Sequence, residues 1–178
     1  MVKNNRNAGC GMRVRRIIGI DPGYATIGWG VVDYRGASFK AVAYGAITTA
    51  PDLPFEHRLE EIYDQLGILL QNHAPQCMGI EKLYFTKNVT TGIDVAGARG
   101  VVLLRARKYG LSIGEYTPMQ VKQSVVGYGK AEKKQVMQMT KTLLALPSLP
   151  KPDDVADALA VAICHAHSTS SHFPIPLR

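Results

Sequence analysis

Acid is the scarcer charge in this chain: 14 Asp and Glu stand against 21 Lys and Arg, a net charge of +7. A deficit of that size favours a polyanionic partner, most often nucleic acid. Cysteine is also sparse. Cys10, Cys77 and Cys164 are odd in number and far apart, so they build neither a disulfide framework nor a CxxC metal site, and the expected compartment is reducing and cytoplasmic. No apolar run approaches the ~20 residues that span a bilayer. The opening "MVKNNRNAGCGMRVRR" has basic residues but no apolar core, unlike a secretory signal. Repeats and low-complexity tracts are absent as well.

What remains is an ordinary globular balance over 178 residues, 46% hydrophobic and 20% charged, which suits one domain. Residues 1–14 read as a basic flexible tail, with Met12 as an alternative start, 15–168 as a single domain and 169–178 as a C-terminal tail. Short β-branched runs at 16–21, 27–34 and 39–49 lie at hairpin distance and predict three antiparallel strands. Leu59, Ile62, Tyr63, Leu66 and Leu70 recur at helical spacing within 54–74. Strands at 76–83 and 111–117 flank a helix at 91–110, and helical segments between 118 and 146 are broken by "VGYGKA" (126–131). A last helix follows in "KPDDVADALAVAICHAH" (151–167). Three meandering strands followed by β-α-β units predict an α/β fold with a five-stranded mixed sheet and helices on both faces.

Three places concentrate acid. "IIGID" (17–21) and "CMGIE" (77–81) are both apolar, then Gly-Ile, then a carboxylate. Alternation puts Gly19 and Asp21 on one face of the first strand, and Gly79 and Glu81 on one face of the fourth. If those strands are parallel neighbours, Asp21 and Glu81 stand side by side, above glycines that leave room close to the backbone. Asp154 and Asp157 share a face of the last helix, and Asp153 nearly does. Converging carboxylates without His or Cys suit Mg²⁺ or Mn²⁺. A pair of such ions about 3.5–4 Å apart can clamp both oxygens of a phosphodiester displacement. Each acid also has a plain structural reading: a turn at "DPG", an ion pair at Glu81, helix-dipole and capping roles for Asp153 and Asp154. The five histidines show no zinc spacing, and His165 and His167 point to different helix faces.

Five segments in order, "GIDPG" (19–23), "IEKLYFTKN" (80–88), "GARGV" (97–101), "QVKQSVVGYGKAEKKQV" (120–136) and "DDVADALAVAI" (153–163), resemble the RuvC-type Holliday junction resolvases, bacterial endonucleases of the ribonuclease H fold. The resemblance covers residues 15 to 168. It implies a ribonuclease H-like fold and a crossover junction endodeoxyribonuclease that nicks two opposed strands and leaves 5′-phosphate and 3′-hydroxyl ends. It implies Asp21, Glu81, Asp154 and Asp157 as catalytic and metal-holding carboxylates, with two Mg²⁺ ions for which Mn²⁺ can substitute. Asp153, one position early, is then a cap or supporting group. By the same resemblance Tyr84, Phe85, Lys87, Arg99, Lys122, Lys130 and Lys133 contact DNA. Tyr84 or Phe85 is placed to stack on an unpaired base. Arg99, together with Arg105, Arg107 and Lys108 on the same helix, reads either as part of a DNA path or as a solvated face. The family's partners are four-way junction DNA, a second copy of the chain and a branch-migration motor. The dimer surface is expected on the helix at 91–109, where Gly92, Ala96, Gly97, Ala98 and Gly100 allow close approach. Three rivals compete: a sugar-kinase or actin-like ATPase, which also opens with GID-x-G; a nuclease for RNA or RNA–DNA hybrids; and a protein that binds branched DNA without cutting it.

Overall fold

The computed structural model describes residues 13–83 and 89–170. Its elements follow the order β1 (Arg15–Asp21), β2 (Thr26–Arg35), β3 (Ser38–Thr48), α1 (Phe55–His73), β4 (Cys77–Glu81), α2 (Val89–Tyr109), β5 (Ser112–Tyr116), α3 (Pro118–Val126), α4 (Lys133–Leu143) and α5 (Asp153–Ser168). The strands form one sheet in the order β3-β2-β1-β4-β5. β1, β2 and β3 pair antiparallel, whereas β4 runs parallel to both β1 and β5. This is the mixed sheet that the sequence predicts, with strand and helix bounds within three residues of expectation.

Alternation along the central strands divides the core. Ile18 and Ile20 of β1 and Met78 and Ile80 of β4 pack under α1 and α2, against Ile62, Leu66, Leu70 and Val102. Ile17 and Cys77 point the other way, toward Leu159, Val161 and Ile163 of α5 and the α3–α4 pair. Every residue of α5 from Val155 to Ala166 is buried except Asp157. A helix apolar on all sides belongs between layers, and α5 lies directly on the sheet with α3 and α4 outside it.

The glycines explain how close it lies. A methyl group at Gly19 would overlap the carbonyl oxygen of Ala158, and one at Gly28 that of Asp154. The space foreseen above the β1 glycine is therefore taken by the α5 backbone itself. Five alanines (156, 158, 160, 162, 166) keep the helix narrow enough to fit. Arg15 at the start of β1 secures the far end of α5: its guanidinium donates to the Ala166 carbonyl at 3.2 Å and to Thr169, a cation set against the negative end of the helix. Arg16 does the same for α1, donating to the His73 carbonyl at 3.1 Å while pairing with both oxygens of Asp33.

Candidate active site

β1 and β4 are in register at Ile20 and Ile80, and Asp21 and Glu81 end the two strands one residue further on. Both lie on the face toward α5, with Gly19 and Gly79 beneath them. The first turn of α5 reaches the same spot, since Asp154 sits against Gly28 and Gly28 pairs with Asp21. The structure therefore brings together Asp21, Glu81, Asp154 and Asp157 from three elements far apart in sequence.

The electrostatics record that convergence. The Asp21 carboxyl is pushed up to about 8, first by burial and then by the charges of Glu81, Asp157 and Asp154. Glu81 rises to about 7, again chiefly by burial, with Asp157 adding to it and Lys133 and Lys122 opposing. Burial also raises Asp157, against a direct bond from Lys133. Carboxylates this buried and this close stay charged only with a cation among them. Part of that role falls to Lys133, whose ammonium stands 2.9 Å from Asp157 and 3.5 Å from Asp153. Asp153 is thus no helix cap: Pro152 holds the N-cap position, no side chain caps the helix, and Asp153 joins Asp157 on Lys133.

Beside the acids opens a cavity of about 220 Å³. It is lined by the acids Glu81 and Asp157, the lysines Lys122 and Lys133, and the apolar Pro118, Val121 and Val136. Carboxylates and ammoniums lining one cleft match what a phosphodiester in attack by water requires, groups that bind cations together with groups that stabilise the developing charge. An oxygen-only donor set fits a hard divalent cation. It is not closed around one as it stands: among the described residues no three Asp, Glu, His or Cys side chains meet as ligands, and Asp157 is turned to Lys133.

The basic residues divide. Lys122 and Lys133 line the cavity and Lys130 is exposed beside it. Arg99, expected on a DNA path, instead turns inward: it pairs with Glu115 of β5 and its Nε donates to the Glu81 carbonyl at 3.4 Å. The long planar fork reaches both parallel strands from α2, which a surface role would not require. Arg105 likewise folds over the Tyr63 ring at 4.5 Å and fills the space left by Gly67, leaving Arg107 and Lys108 exposed. Tyr84, Phe85 and Lys87 lie outside the described residues. His165 is buried and bonded to Tyr116 (2.9 Å), and His167 is half-buried and bonded to Ser124 (3.0 Å).

One inward cation had no sequence signal beyond its place in an amphipathic helix. Arg58 of α1 is only 6% exposed, yet no carboxylate pairs with it among the described residues. Its guanidinium lies 3.5 Å over the Tyr24 ring, donates to Thr49 Oγ1 at 2.8 Å, and reaches the Tyr24 carbonyl at 3.4 Å. Tyr24 belongs to the turn that follows Asp21, so Arg58 fastens the loop behind the first acid as Arg99 fastens the strand bearing the second.

A mixed five-stranded sheet of order 3-2-1-4-5, with carboxylates ending its two central parallel strands and a third acid group on the crossing helix, defines a ribonuclease H-like nuclease. The family model "Crossover junction endodeoxyribonuclease RuvC" matches residues 17–165. Proteins of that name from Desulforamulus reducens and Ruminiclostridium cellulolyticum are 51% and 55% identical to it over 155 and 152 residues. Those alignments cover 87% and 85% of this chain and 95% and 92% of the relatives. Thermus thermophilus RuvC in complex with a Holliday junction substrate superposes with a TM-score of 0.82 at 34% identity, over 85% of this chain and 93% of that one. The yeast mitochondrial Holliday junction resolvase Ydc2, 14% identical over 89% of this chain and 82% of its own with a TM-score of 0.62, shares the fold. The chain belongs to the RuvC family of crossover junction endodeoxyribonucleases, a family of metal-dependent nucleases.

Proposed function

We propose that this chain resolves four-way DNA junctions in recombination and repair by hydrolysing one phosphodiester in each of two opposed strands, leaving 5′-phosphate and 3′-hydroxyl ends. The observation that carries the reading is the registered pair Asp21 and Glu81, raised together by burial and joined by Asp157 of α5. Asp21, Glu81, Asp154 and Asp157 are the residues that would hold two Mg²⁺ ions, or Mn²⁺ in their place. The bound cations would supply a Lewis acid for the phosphate oxygens and acidify the attacking water.

The chain's own groups do the rest. Lys122 and Lys133, which line the same cleft as Glu81 and Asp157, bind the scissile phosphate and offset the charge that builds on it. Lys133 exchanges Asp157 for phosphate as the site fills. Lys130, Lys87, Tyr84 and Phe85 extend the DNA contact, one of the two rings stacking on an unpaired base. Two cuts related by symmetry call for a C₂ dimer. α2 offers Ile93, Ala96, Gly100 and Leu104 as an exposed stripe for it, whereas Ala98 is buried and Gly97 packs on Phe55. Work beside a branch-migration motor in the cytoplasm follows from the family resemblance, and no helix among the described residues is long and apolar enough to cross a membrane.

The test is cleavage of a synthetic four-way junction with Mg²⁺ or Mn²⁺, wild type against Asp21→Asn, with linear duplex and RNA–DNA hybrid as competitors. Paired symmetric nicks in the junction alone, abolished by the substitution, are the expected result. Preferred cutting of the hybrid would replace this reading with a ribonuclease, and tight junction binding without nicks would replace it with a binding protein.

A further inference from the structure

The connection between α3 and α4 and the first turn of α3 each carry a large apolar group that the core does not use. Tyr128 is 45% exposed and Met119 is 65% exposed. Gly129 brings them to one lip: its Cα packs so closely on the Met119 side chain that a methyl group there would collide with it. The lip adjoins the elements that line the cleft: Pro118, next to Met119, and Val121 and Lys122 of α3 line the cavity, as do Lys133 and Val136 of α4 on the far side of the connection. Lys130 and Lys134 are exposed around it.

The tyrosine is not loose. Its hydroxyl donates to Gln135 Oε1 at 2.9 Å, and the same oxygen accepts from the Glu132 backbone N–H at 2.9 Å. The loop behind the ring is fixed as well: Gly127 ends α3 in a left-handed conformation at φ 94°, and Gln123 donates to its carbonyl at 2.6 Å. A ring tethered by its polar end, with its body in solvent and ammoniums beside it, has lost its conformational entropy before any ligand arrives. Aromatic faces interleaved with cations are the recurrent surface for unpaired nucleobases, where the bases stack and the backbone meets the charge.

We propose that Tyr128, with Met119 beside it, is a nucleobase-binding residue: it stacks on an unpaired base next to the scissile phosphate of the junction. The proposal rests on the junction-cleaving reading and deepens it. Because Gln135 also caps α4, whose first residue is Lys133, base capture and the phosphate-side lysine share one anchored turn.

The experiment uses full-length protein carrying Asp21→Asn, so that nothing is cut, and a junction with 5-iododeoxyuridine at each position flanking the expected nick in turn. Irradiation joins the iodinated base to an aromatic ring stacked on it, and peptide sequencing locates the link. A cross-link to Tyr128 is expected at one position, retained in Tyr128→Phe and lost in Tyr128→Leu. Junction affinity should fall about tenfold in Tyr128→Leu with the salt dependence unchanged, since no charge is removed. Tyr128→Phe should stay within about threefold, having lost only the tether. Junction binding with no link to Tyr128 at any position, or unchanged affinity in Tyr128→Leu, overturns the proposal and leaves the function standing. Failure of the parent protein to prefer the junction over linear duplex overturns both.

Discussion

The two faces of the sheet use positive charge in opposite ways. Under α1 and α2 three arginines turn inward, with Arg107 and Lys108 left exposed at the end of α2. Arg58 lies on Tyr24, Arg99 on Glu115 and the Glu81 carbonyl, Arg105 on Tyr63. Across the sheet, on α3, α4 and their connection, the cations are lysines: Lys122 and Lys133 line the cleft, and Lys130 and Lys134 are exposed on the same elements. The chemistry of the two side chains accounts for the split. A guanidinium is planar and weakly hydrated, and can satisfy several neutral acceptors while stacked on a ring. An ammonium is strongly hydrated and stays in water or goes to a full negative charge. So the net charge of +7 divides into cations that fasten the fold and cations free for a polyanion, and only the second kind supports a nucleic-acid partner.

The largest effect expected from breaking this arrangement is on the acids between the two faces. Asp21→Asn should lower cleavage at least ~100-fold and at the same time raise the stability of the metal-free protein at neutral pH. The sign follows from linkage. The folded-state value of Asp21 is about 8, far above its ordinary value of 3.8, so the native state holds protons that the unfolded chain releases. Metal-free stability is then greatest below the unfolded value, near pH 4, and is lost as pH rises toward 8. Asparagine removes that loss, a gain of at most a few kcal/mol, readable by denaturant titration in chelator. The same protons compete with the cation, so the apparent affinity for Mn²⁺ should climb from pH 6 to 8 as Glu81 and then Asp21 ionise, and calorimetry at stepped pH checks it. An affinity flat across that range would mean that the acids are already ionised and compensated in the metal-free protein.

Next in size is the fit of α5 to the sheet. Gly19→Ala puts a methyl group into the Ala158 carbonyl, and backbone cannot rotate aside as a side chain does. A loss above ~3 kcal/mol is expected, seen as a lower midpoint in urea, and activity should fall with it because α5 carries Asp154 and Asp157. On the opposite face, Arg58→Lys keeps the charge but loses the planar stack and the fork, for about 2 kcal/mol. Salt should not change that loss. Lys134→Ala should do the reverse: leave the urea midpoint within ~0.5 kcal/mol, and reduce the salt slope of junction binding by about one if it meets a phosphate.

Much of this was readable in the amino-acid order, for reasons of period and register. β-branched alternation located the strands, and the repeated Gly-Ile-acid pattern placed Asp21 and Glu81 on one face, because residues two apart on a strand must share it. Helical spacing likewise put Asp154 and Asp157 together. What was not legible is direction in the long side chains. Arg99 and Lys133 look alike in sequence, each a cation on a helix near an acid-bearing segment. Only the crossing of α2 over β4 and β5 sends Arg99 inward, and only the approach of α4 to α5 gives Lys133 to Asp157. The glycine floor was legible as a need for room. That the occupant is a helix backbone depends on the run of small residues in α5 landing over β1 and β2, a long-range fact that no local pattern carries.

A small effect of the opposite sign concerns a glycine that the fold does not need. Gly100 sits in the middle of α2 with nothing within 4 Å of where a methyl group would go. Replacing a mid-helix glycine by alanine restricts the unfolded chain and fills no occupied space, so Gly100→Ala should stabilise the isolated chain by about 1 kcal/mol. Gly19 and Gly100 are thus opposite cases of one substitution. The proposed dimer sharpens the contrast, since Gly100 lies in the exposed stripe of Ile93, Ala96 and Leu104. If two copies meet there backbone to backbone, the added methyl group should weaken self-association while strengthening the monomer. Sedimentation and urea unfolding on the same variant would then move in opposite directions. If both improve or self-association is untouched, the dimer contact lies elsewhere than on this stripe.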